Sequence, residues 1–328
     1  MKRDDKMKLN VAVIGAGAMG TAISQSIAKN VNKLFLYARK EEICNEINSK
    51  HYNTHYYPNL KLKDNIIGIN DFSKLNQVKV IFLCIPSSTV RELTTELNKV
   101  ISNDCIIITT AKGLESTTNK RMTEIIEEIT KRPAVALSGP NIASEMAKNL
   151  STATTIACSD ENYLKIVERI LKTKKFKVNS NTDVIGTEFC GVIKNVLAIS
   201  QGICEGLDIN DNARFALFTK SYNETKDLIE LLGGNRDTVD DYCGFGDIIT
   251  ASTLSVSRNH TLGVLYGQGI VVDEKSSGIL FEGKNTAIIL KKLCEKNNFE
   301  SLTVNFVYDI IVNKNNAKLS FNNFWDGL

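Results

Sequence analysis

"KLNVAVIGAGAMGTAISQSIAKN", residues 8–30, decides the architecture of the first half of this chain. A short, mostly β-branched run, Val11 to Ile14, leads into Gly15-Ala16-Gly17-Ala18-Met19-Gly20, and apolar residues then recur at helical period through Ile23 and Ile27. Three glycines at this spacing say little alone, but strand, glycines and helix in that order describe a βα unit that receives a dinucleotide. Gly15 permits a tight turn and Gly17 has no side chain to block a pyrophosphate. Gly20 lets the helix pack close to the sheet, and the helix N-terminus faces the phosphates. The competing reading is a glycine-rich turn of an ordinary βα unit.

Working outward, "KLFLYARK" (33–40) predicts a second strand ending near Arg39. NAD-selective sites place an Asp or Glu there to hold the ribose hydroxyls, whereas an Arg pairs with a 2′-phosphate. The first acid here is Glu41, two residues later, so the expectation leans to NADP(H) with NAD(H) allowed. Further strands are expected at 78–86, 104–113, 134–140 and 152–158, with helical stretches such as "SSTVRELTTELNKVI" between several of them. Continuous apolar strands alternating with helices indicate an α/β, doubly wound, mostly parallel sheet. "IPSS", "AKGLE" and "SGPNIASE" fall at strand ends, where such sheets bind ligands. Lys112 of "AKGLE" therefore points to the cofactor crevice; the competing reading is a surface loop lysine.

From about residue 186 the strand-like runs stop. Helical patterns cover 187–205, 213–233, a stretch from about 247, and 286–297, and no proline follows Pro140. The expected organisation is a dinucleotide-binding domain over 1–185 and an all-α substrate and catalytic domain over 186–328. In "GTEFCGVIKNVLAISQG" (186–202), helical winding gathers Val192, Val196, Ile199 and Ile203 into one apolar stripe. Lys194 falls opposite, among Thr187, Cys190, Gly191, Ala198, Gln201 and Glu205. Either it is a solvated lysine on an amphipathic helix, or something carrying an oxygen atom docks beside it. Four later segments set glycine beside charge: "CGFGDIIT", "SVSRNHTLG", "YGQG" and "FEGKNT". Asp247 opens an expected helix and suits its first turn. Ser257, Arg258 and Asn259 carry a forked guanidinium, a hydroxyl and an amide, the donors a phosphate needs.

Composition narrows the field. Hydrophobic content of 43%, charged content of 23% and a net charge of +3 describe an ordinary globular protein. Without a basic stripe interleaved with aromatics, nucleic acid is not an expected partner. No apolar run reaches the roughly 18–20 residues that span a bilayer, so no membrane insertion is expected. "MKRDDKMKLN" is unlike a signal peptide, and eight dispersed cysteines without a CxxC pair suit a reducing cytoplasm. Three histidines, two of them in "HYNTH", leave no metal site to assign.

Taken together, "GAGAMGTA", "HYYP", "AKGLE", "LSGPNIASE", "GVIKNVLAI", "NAR", "GFGDIITAST", "SRN", "LGVLYGQG" and "EGKNT" resemble the bacterial and archaeal NAD(P)-dependent glycerol-3-phosphate dehydrogenases. The resemblance runs from about residue 11 to 287 and leaves 298–328 unassigned. It implies a Rossmann-like domain followed by a helical one, and reversible reduction of dihydroxyacetone phosphate to sn-glycerol 3-phosphate, which supplies phospholipid synthesis. It implies Lys194 as the catalytic acid and base, with Lys112 and Asp247 beside it in catalysis. Lys112, Gly139, Asp247, Ser257, Arg258 and Asn259 would line the substrate site. Gly15, Gly17, Ala18, Met19, Gly20, Arg39, Lys112, Ala143, Arg258 and Glu282 would lie at the cofactor. A homodimer would be unsurprising. "GFGDI" stands where "GLGDL" is usual, and Ala18-Met19 where bulkier or hydroxylic residues are common.

Two rival functions share the fold. Ketopantoate and β-hydroxyacid reductases also place a lysine on the first helix after a Rossmann domain, but "SRN" and "AKGLE" argue against a carboxylate substrate. A non-catalytic NADP(H)-binding sensor would leave Lys194 idle and "GFGD" and "SRN" without purpose.

Overall fold

The computed structural model describes residues 9–254, 257–272 and 282–328. The chain divides into two compact units, one running to Glu115 and resuming over Lys120–Val184, the other comprising Ser116–Asn119 and Ile185–Leu328.

The first unit is a sheet flanked by helices. In chain order it contains β1 (Asn10–Ile14), α1 (Ala18–Ile27), β2 (Lys33–Tyr37), α2 (Glu41–Lys50), β3 (Ile66–Ile69), β4 (Val80–Leu83), α3 (Val90–Leu97) and β5 (Ile106–Thr109). There follow α4 (Met122–Thr130), β6 (Val135–Ser138), α5 (Ala143–Ala147), β7 (Thr152–Ala157), α6 (Glu161–Leu171) and β8 (Phe176–Asn181). The strands lie in the order β3-β2-β1-β4-β5-β6-β7-β8. Neighbours run parallel except β6 and β7, which are antiparallel.

Period-two alternation divides β1 between two cores, Val11 and Val13 in one layer and Ala12 and Ile14 in the other. Both faces are covered, so the central strands are apolar throughout. β3 and β8 are not anticipated from the sequence, and both are edge strands. β8, "FKVNSN", buries only Phe176 fully and otherwise carries exposed or half-buried residues, so it lacks the apolar run that marks its inner neighbours.

The chain reverses its direction of travel across the sheet between β1 and β4, which places a crevice at the carboxyl ends of those strands. Gly15 turns there with φ +110°, and an added Cβ would lie 2.4 Å from the Cys84 carbonyl oxygen. At Gly20 an added Cβ would meet the Gly15 carbonyl oxygen at 1.8 Å. The glycine spacing is thus dictated by backbone meeting backbone.

The second unit has no strand among its described residues. It contains α7 (Val184–Gly206), α8 (Asp211–Leu231), a single π-helical turn (Tyr242–Gly246), α9 (Asp247–Thr253), α10 (Arg258–Gly267), α11 (Glu282–Lys296), α12 (Leu302–Ile311) and α13 (Ala317–Asp326). Residues 298–328, unassigned from sequence, supply the last two helices. Of the two readings of α7, the solvated amphipathic face is the one the structure opposes: Thr187, Cys190, Ala198 and Gln201 are all buried. α7 is a central helix, packed on all sides rather than along one stripe.

Its packing against α10 is unusually close. A Cβ on Gly202 would lie 2.1 Å from His260 O, on Gly206 2.2 Å from Val264 O, on Gly263 2.2 Å from Ile199 O, and on Gly267 2.5 Å from Ile203 O. Four glycines therefore let the two backbones touch. Elsewhere the buried Glu224 of α8 accepts from Ser301 Oγ at 2.7 Å, Leu302 N at 3.0 Å and Thr303 N at 3.1 Å, tying down the N-terminus of α12. No helix among the described residues is long and apolar enough to cross a membrane.

The seam makes a stability prediction. Gly202→Ala forces α7 and α10 apart and lowers stability by about 3 kcal/mol, the upper part of the usual cost of overpacking. Gly17→Ala, whose new methyl would meet nothing closer than Tyr56 Oη at 3.9 Å, stays within about 0.5 kcal/mol of the parent. Urea unfolding midpoints of the two variants check the contrast.

Candidate active site

The first group of expected residues clusters at the head of the sheet. Gly17 is the N-cap of α1 and offers no side-chain cap, and no acidic residue stands in the helix's first turn. The positive end of α1 is therefore unopposed by a local carboxylate, and the space before Gly17 is open. Those are the features a pyrophosphate requires, and the residues present fit one. Ala18 is exposed and Met19 half-buried.

Arg39 lies two residues beyond β2, whose last residue pairs with Ile14 at the end of β1; Gly15 N donates to Tyr37 O at 3.1 Å. Arg39 is exposed. Glu41, the nearest following acid, is used in the first turn of α2 together with Glu42, where both favour that helix's own dipole. The strand-end position is left to the cation.

Lys112 extends from the loop after β5, and its Nζ donates to Gly139 O at 3.0 Å. Gly139 sits in the turn after β6, where a Cβ would come within 2.9 Å of Thr154 Cα. Asn141 and Thr154, neither singled out from sequence, brace that turn. Thr154 Oγ1 donates to Ser138 O at 3.0 Å and lies 3.0 Å from Asn141 Oδ1, and Asn141 Nδ2 donates to Ala153 O at 3.0 Å. Glu115 of "AKGLE" forms a two-pronged pair with Arg91, at 2.6 and 2.9 Å, anchoring the Lys112 loop to α3. Ala143 is the first residue of α5.

The second group lies in the helical unit. Lys194 Nζ is 3.2 Å from Asp247 Oδ1; the lysine side chain is 16% exposed and the aspartate 4%. Asp247 does open a helix, as its position implies, and it is delivered there by the π-helical turn "YCGFG". In that turn a Cβ on Gly244 would fall 2.1 Å from Val239 O.

Asn195, the residue after Lys194, accepts from Asn259 Nδ2 at 2.9 Å. Asn259 Oδ1 in turn accepts from Gly283 N at 3.2 Å, beside Glu282 at the start of α11. Ser257 caps α10 by accepting from His260 N at 3.3 Å, and Arg258 is the exposed first residue of that helix. Lys194, Asp247 and Asn259 are thus held by direct or one-residue links, with Ser257, Arg258 and Glu282 adjoining. Asn195 was not anticipated; its only sequence signal is its place in "VIKNV".

Cys190, Cys204 and Cys243 are all buried. Burial pushes the Cys204 thiol up to about 12, far from a reactive thiolate. Nearby, His260 is 3% exposed, with Nε2 3.4 Å from Glu205 Oε2, and Glu205 also meets Arg214 Nη2 at 3.2 Å. Burial lowers the His260 pKa; the Glu205 carboxylate opposes that and the Arg214 guanidinium adds to it.

The sign follows from linkage. The unfolded chain binds a proton at His260 near its ordinary value of ~6.5 while the folded chain resists it. Stability is therefore full above ~pH 6.5 and is lost as pH falls through the lower, folded value. His260→Gln should flatten the decline in urea midpoint between about pH 7 and pH 5. An unchanged slope would remove His260 as its source.

With this geometry established, the chain can be compared with known proteins. The family described as NAD-dependent glycerol-3-phosphate dehydrogenase matches in two parts, its N-terminus over residues 10–164 and its C-terminus over residues 183–322. The second match extends well beyond "EGKNT", where the sequence motifs end. The chain is 33% identical over 312 residues to a glycerol-3-phosphate dehydrogenase [NAD(P)+] of Clostridium botulinum, covering 94% of each protein. It is 36% identical over 309 residues to one from an Exiguobacterium species, covering 92% of this chain and 91% of the relative. A crystal structure of glycerol-3-phosphate dehydrogenase from Coxiella burnetii is similar with a TM-score of 0.89 at 29% identity, covering 97% of this chain and 99% of that one.

Proposed function

The chain belongs to the NAD-dependent glycerol-3-phosphate dehydrogenase family, and on that premise we propose that Lys194 is the general acid and base for reversible reduction of dihydroxyacetone phosphate to sn-glycerol 3-phosphate. The observation that carries the assignment is the largely buried Lys194 Nζ at 3.2 Å from the buried Asp247 carboxylate.

When bound, a reduced nicotinamide supplies the hydride that the carbonyl carbon accepts. Lys194 stabilises the charge developing on the carbonyl oxygen and donates its proton there; in the reverse direction it takes that proton back. Asp247 holds the ammonium in line. Ser257, Arg258 and Asn259 hold the phosphate. That anchor is remote from the reacting carbon, and its binding energy orients the carbonyl. Lys112 adds a second cation, braced by Gly139 O, and Gly139 lines the substrate site beside it.

Gly15, Gly17, Ala18, Met19 and Gly20 hold the dinucleotide pyrophosphate. Arg39 at the end of β2 favours a 2′-phosphate and hence NADP(H) over NAD(H). Lys112, Ala143, Arg258 and Glu282 complete the cofactor contacts. The product feeds phospholipid synthesis in the cytoplasm, and the working form is a homodimer.

Lys194→Ala should lower kcat by about a hundred- to ten-thousand-fold, with a much smaller effect on KM for dihydroxyacetone phosphate. The assay follows loss of nicotinamide absorbance with each of NADPH and NADH. Activity that survives in this variant would end the assignment of Lys194. In the same assay Arg39→Ala should abolish a preference for NADPH; a preference that persists would place 2′-phosphate recognition elsewhere.

A further inference from the structure

The glycine turn of the first unit is gripped from one side by a segment that the catalytic assignment leaves without a role. Between α2 and β3 the chain reads "HYNTHYYP" (51–58). Asn53 is fully buried there. Its Nδ2 donates to Ala16 O at 2.9 Å and to Thr21 Oγ1 at 2.9 Å, one partner before and one after the four residues Gly17 to Gly20. Its own backbone carbonyl accepts from Tyr56 N at 3.2 Å and Tyr57 N at 2.9 Å, which closes the segment on itself. Tyr57 Oη reaches across to donate to Ala18 O at 3.0 Å.

Asn53 carries a cost that its packing alone does not explain. Its Oδ1 is buried and has no hydrogen-bond partner among the described residues. A buried carbonyl left unpaired is unfavourable, and an apolar side chain of the same shape would avoid it. The side chain is kept for its two donors, and both are spent on the glycine turn.

Peptide geometry says what those donors accomplish. In a trans peptide the carbonyl of one residue and the amide of the next point in opposite directions, and no peptide here is cis. Holding Ala16 O toward Asn53 therefore turns the Gly17 N–H to the opposite side. Without the side chain, the Ala16 carbonyl keeps only the longer 3.5 Å bond from Thr21 Oγ1, and Gly17 restrains the peptide little. We propose that Asn53 is a positioning residue for dinucleotide binding, fixing the Ala16–Gly17 peptide so that the Gly17 amide faces the pyrophosphate, with Tyr57 holding the Ala18 carbonyl in support. The proposal rests on the assignment of the glycine turn to the pyrophosphate.

The test uses the full chain and reads equilibrium binding of NADPH and of NADH from nicotinamide fluorescence, beside thermal unfolding and steady-state kinetics. Asn53→Leu keeps the volume and removes the donors; it should weaken the better-bound dinucleotide about tenfold. Tyr57→Phe removes one hydroxyl from a half-buried ring and should weaken it roughly threefold. In both variants the KM for dihydroxyacetone phosphate should move far less than the dinucleotide constant, a split that a general loosening of the fold would not produce. Unchanged dinucleotide affinity in both variants overturns the proposal. If Asn53→Leu fails to fold, Tyr57→Phe decides alone: undiminished affinity overturns it, and selective weakening supports it. A parent protein that binds neither dinucleotide would instead refute the pyrophosphate assignment, before any substitution is made.

Discussion

Close approach of α7 and α10 is the constraint on which the helical unit depends. The contacts advance in step along both helices, Ile199 with Gly263 and Ile203 with Gly267, so the two run in the same sense. One turn earlier on each helix stand Asn195 and Asn259, joined at 2.9 Å. That bond is the polar head of an otherwise apolar seam. The residues just before them are Lys194 on α7 and Arg258 at the N-terminus of α10. Side chains at the glycine positions would separate the axes, and Asn259 would no longer reach Asn195. The seam thus sets Lys194, proposed as the general acid and base, and Arg258 each one residue from the joined asparagines, with the α10 N-terminus beside them.

A largely buried ammonium needs compensation, and Asp247 supplies it for Lys194. A buried ion pair gains little net stability, because desolvation offsets most of the attraction. Its value here is geometric. The π-helical turn delivers the carboxylate to one side of Lys194, fixing an otherwise flexible side chain while leaving the rest of the ammonium available. The same logic operates in the first unit, where the Lys112 loop is pinned twice, by Gly139 O at the lysine and by Arg91 at Glu115. In both places a mobile cation is made stationary by its neighbours.

Legibility in the sequence follows from what each residue faces. β1, β4, β5 and β6 are evident as apolar runs because both sheet faces are covered; β8 lacks such a run, and β3, though apolar, is only four residues long and interrupted by Gly68. α7 misleads for a related reason. Thr187, Cys190, Ala198 and Gln201 look like a solvated face by side-chain type, yet small residues also serve where helices pack closely, and only the tertiary structure distinguishes the two uses. Gly15, Gly17 and Gly20 are legible because their spacing answers a local backbone need. Lys194, Asp247 and Asn259 emerge only as motifs read together, since each alone suits an ordinary helix. Asn53 and Asn195 were missed altogether: each acts by hydrogen-bonding another site group, and such service leaves no mark on periodicity or charge.

The two units differ in the kind of donor they present, and the difference matches what each is assigned to hold. A pyrophosphate is common to every dinucleotide, so backbone amides suffice, and side chains serve only to aim the backbone and keep space clear. Glycines and a buried asparagine meet that need, which is why the glycine fingerprint by itself is generic. A small phosphate ester with a reducible carbonyl demands charge at two separate points and a proton at one of them. Backbone cannot supply that proton. In the proposed reaction that demand falls on Lys194, Asp247, Arg258 and Asn259, the residues that "VIKNV", "GFGD" and "SRN" carry.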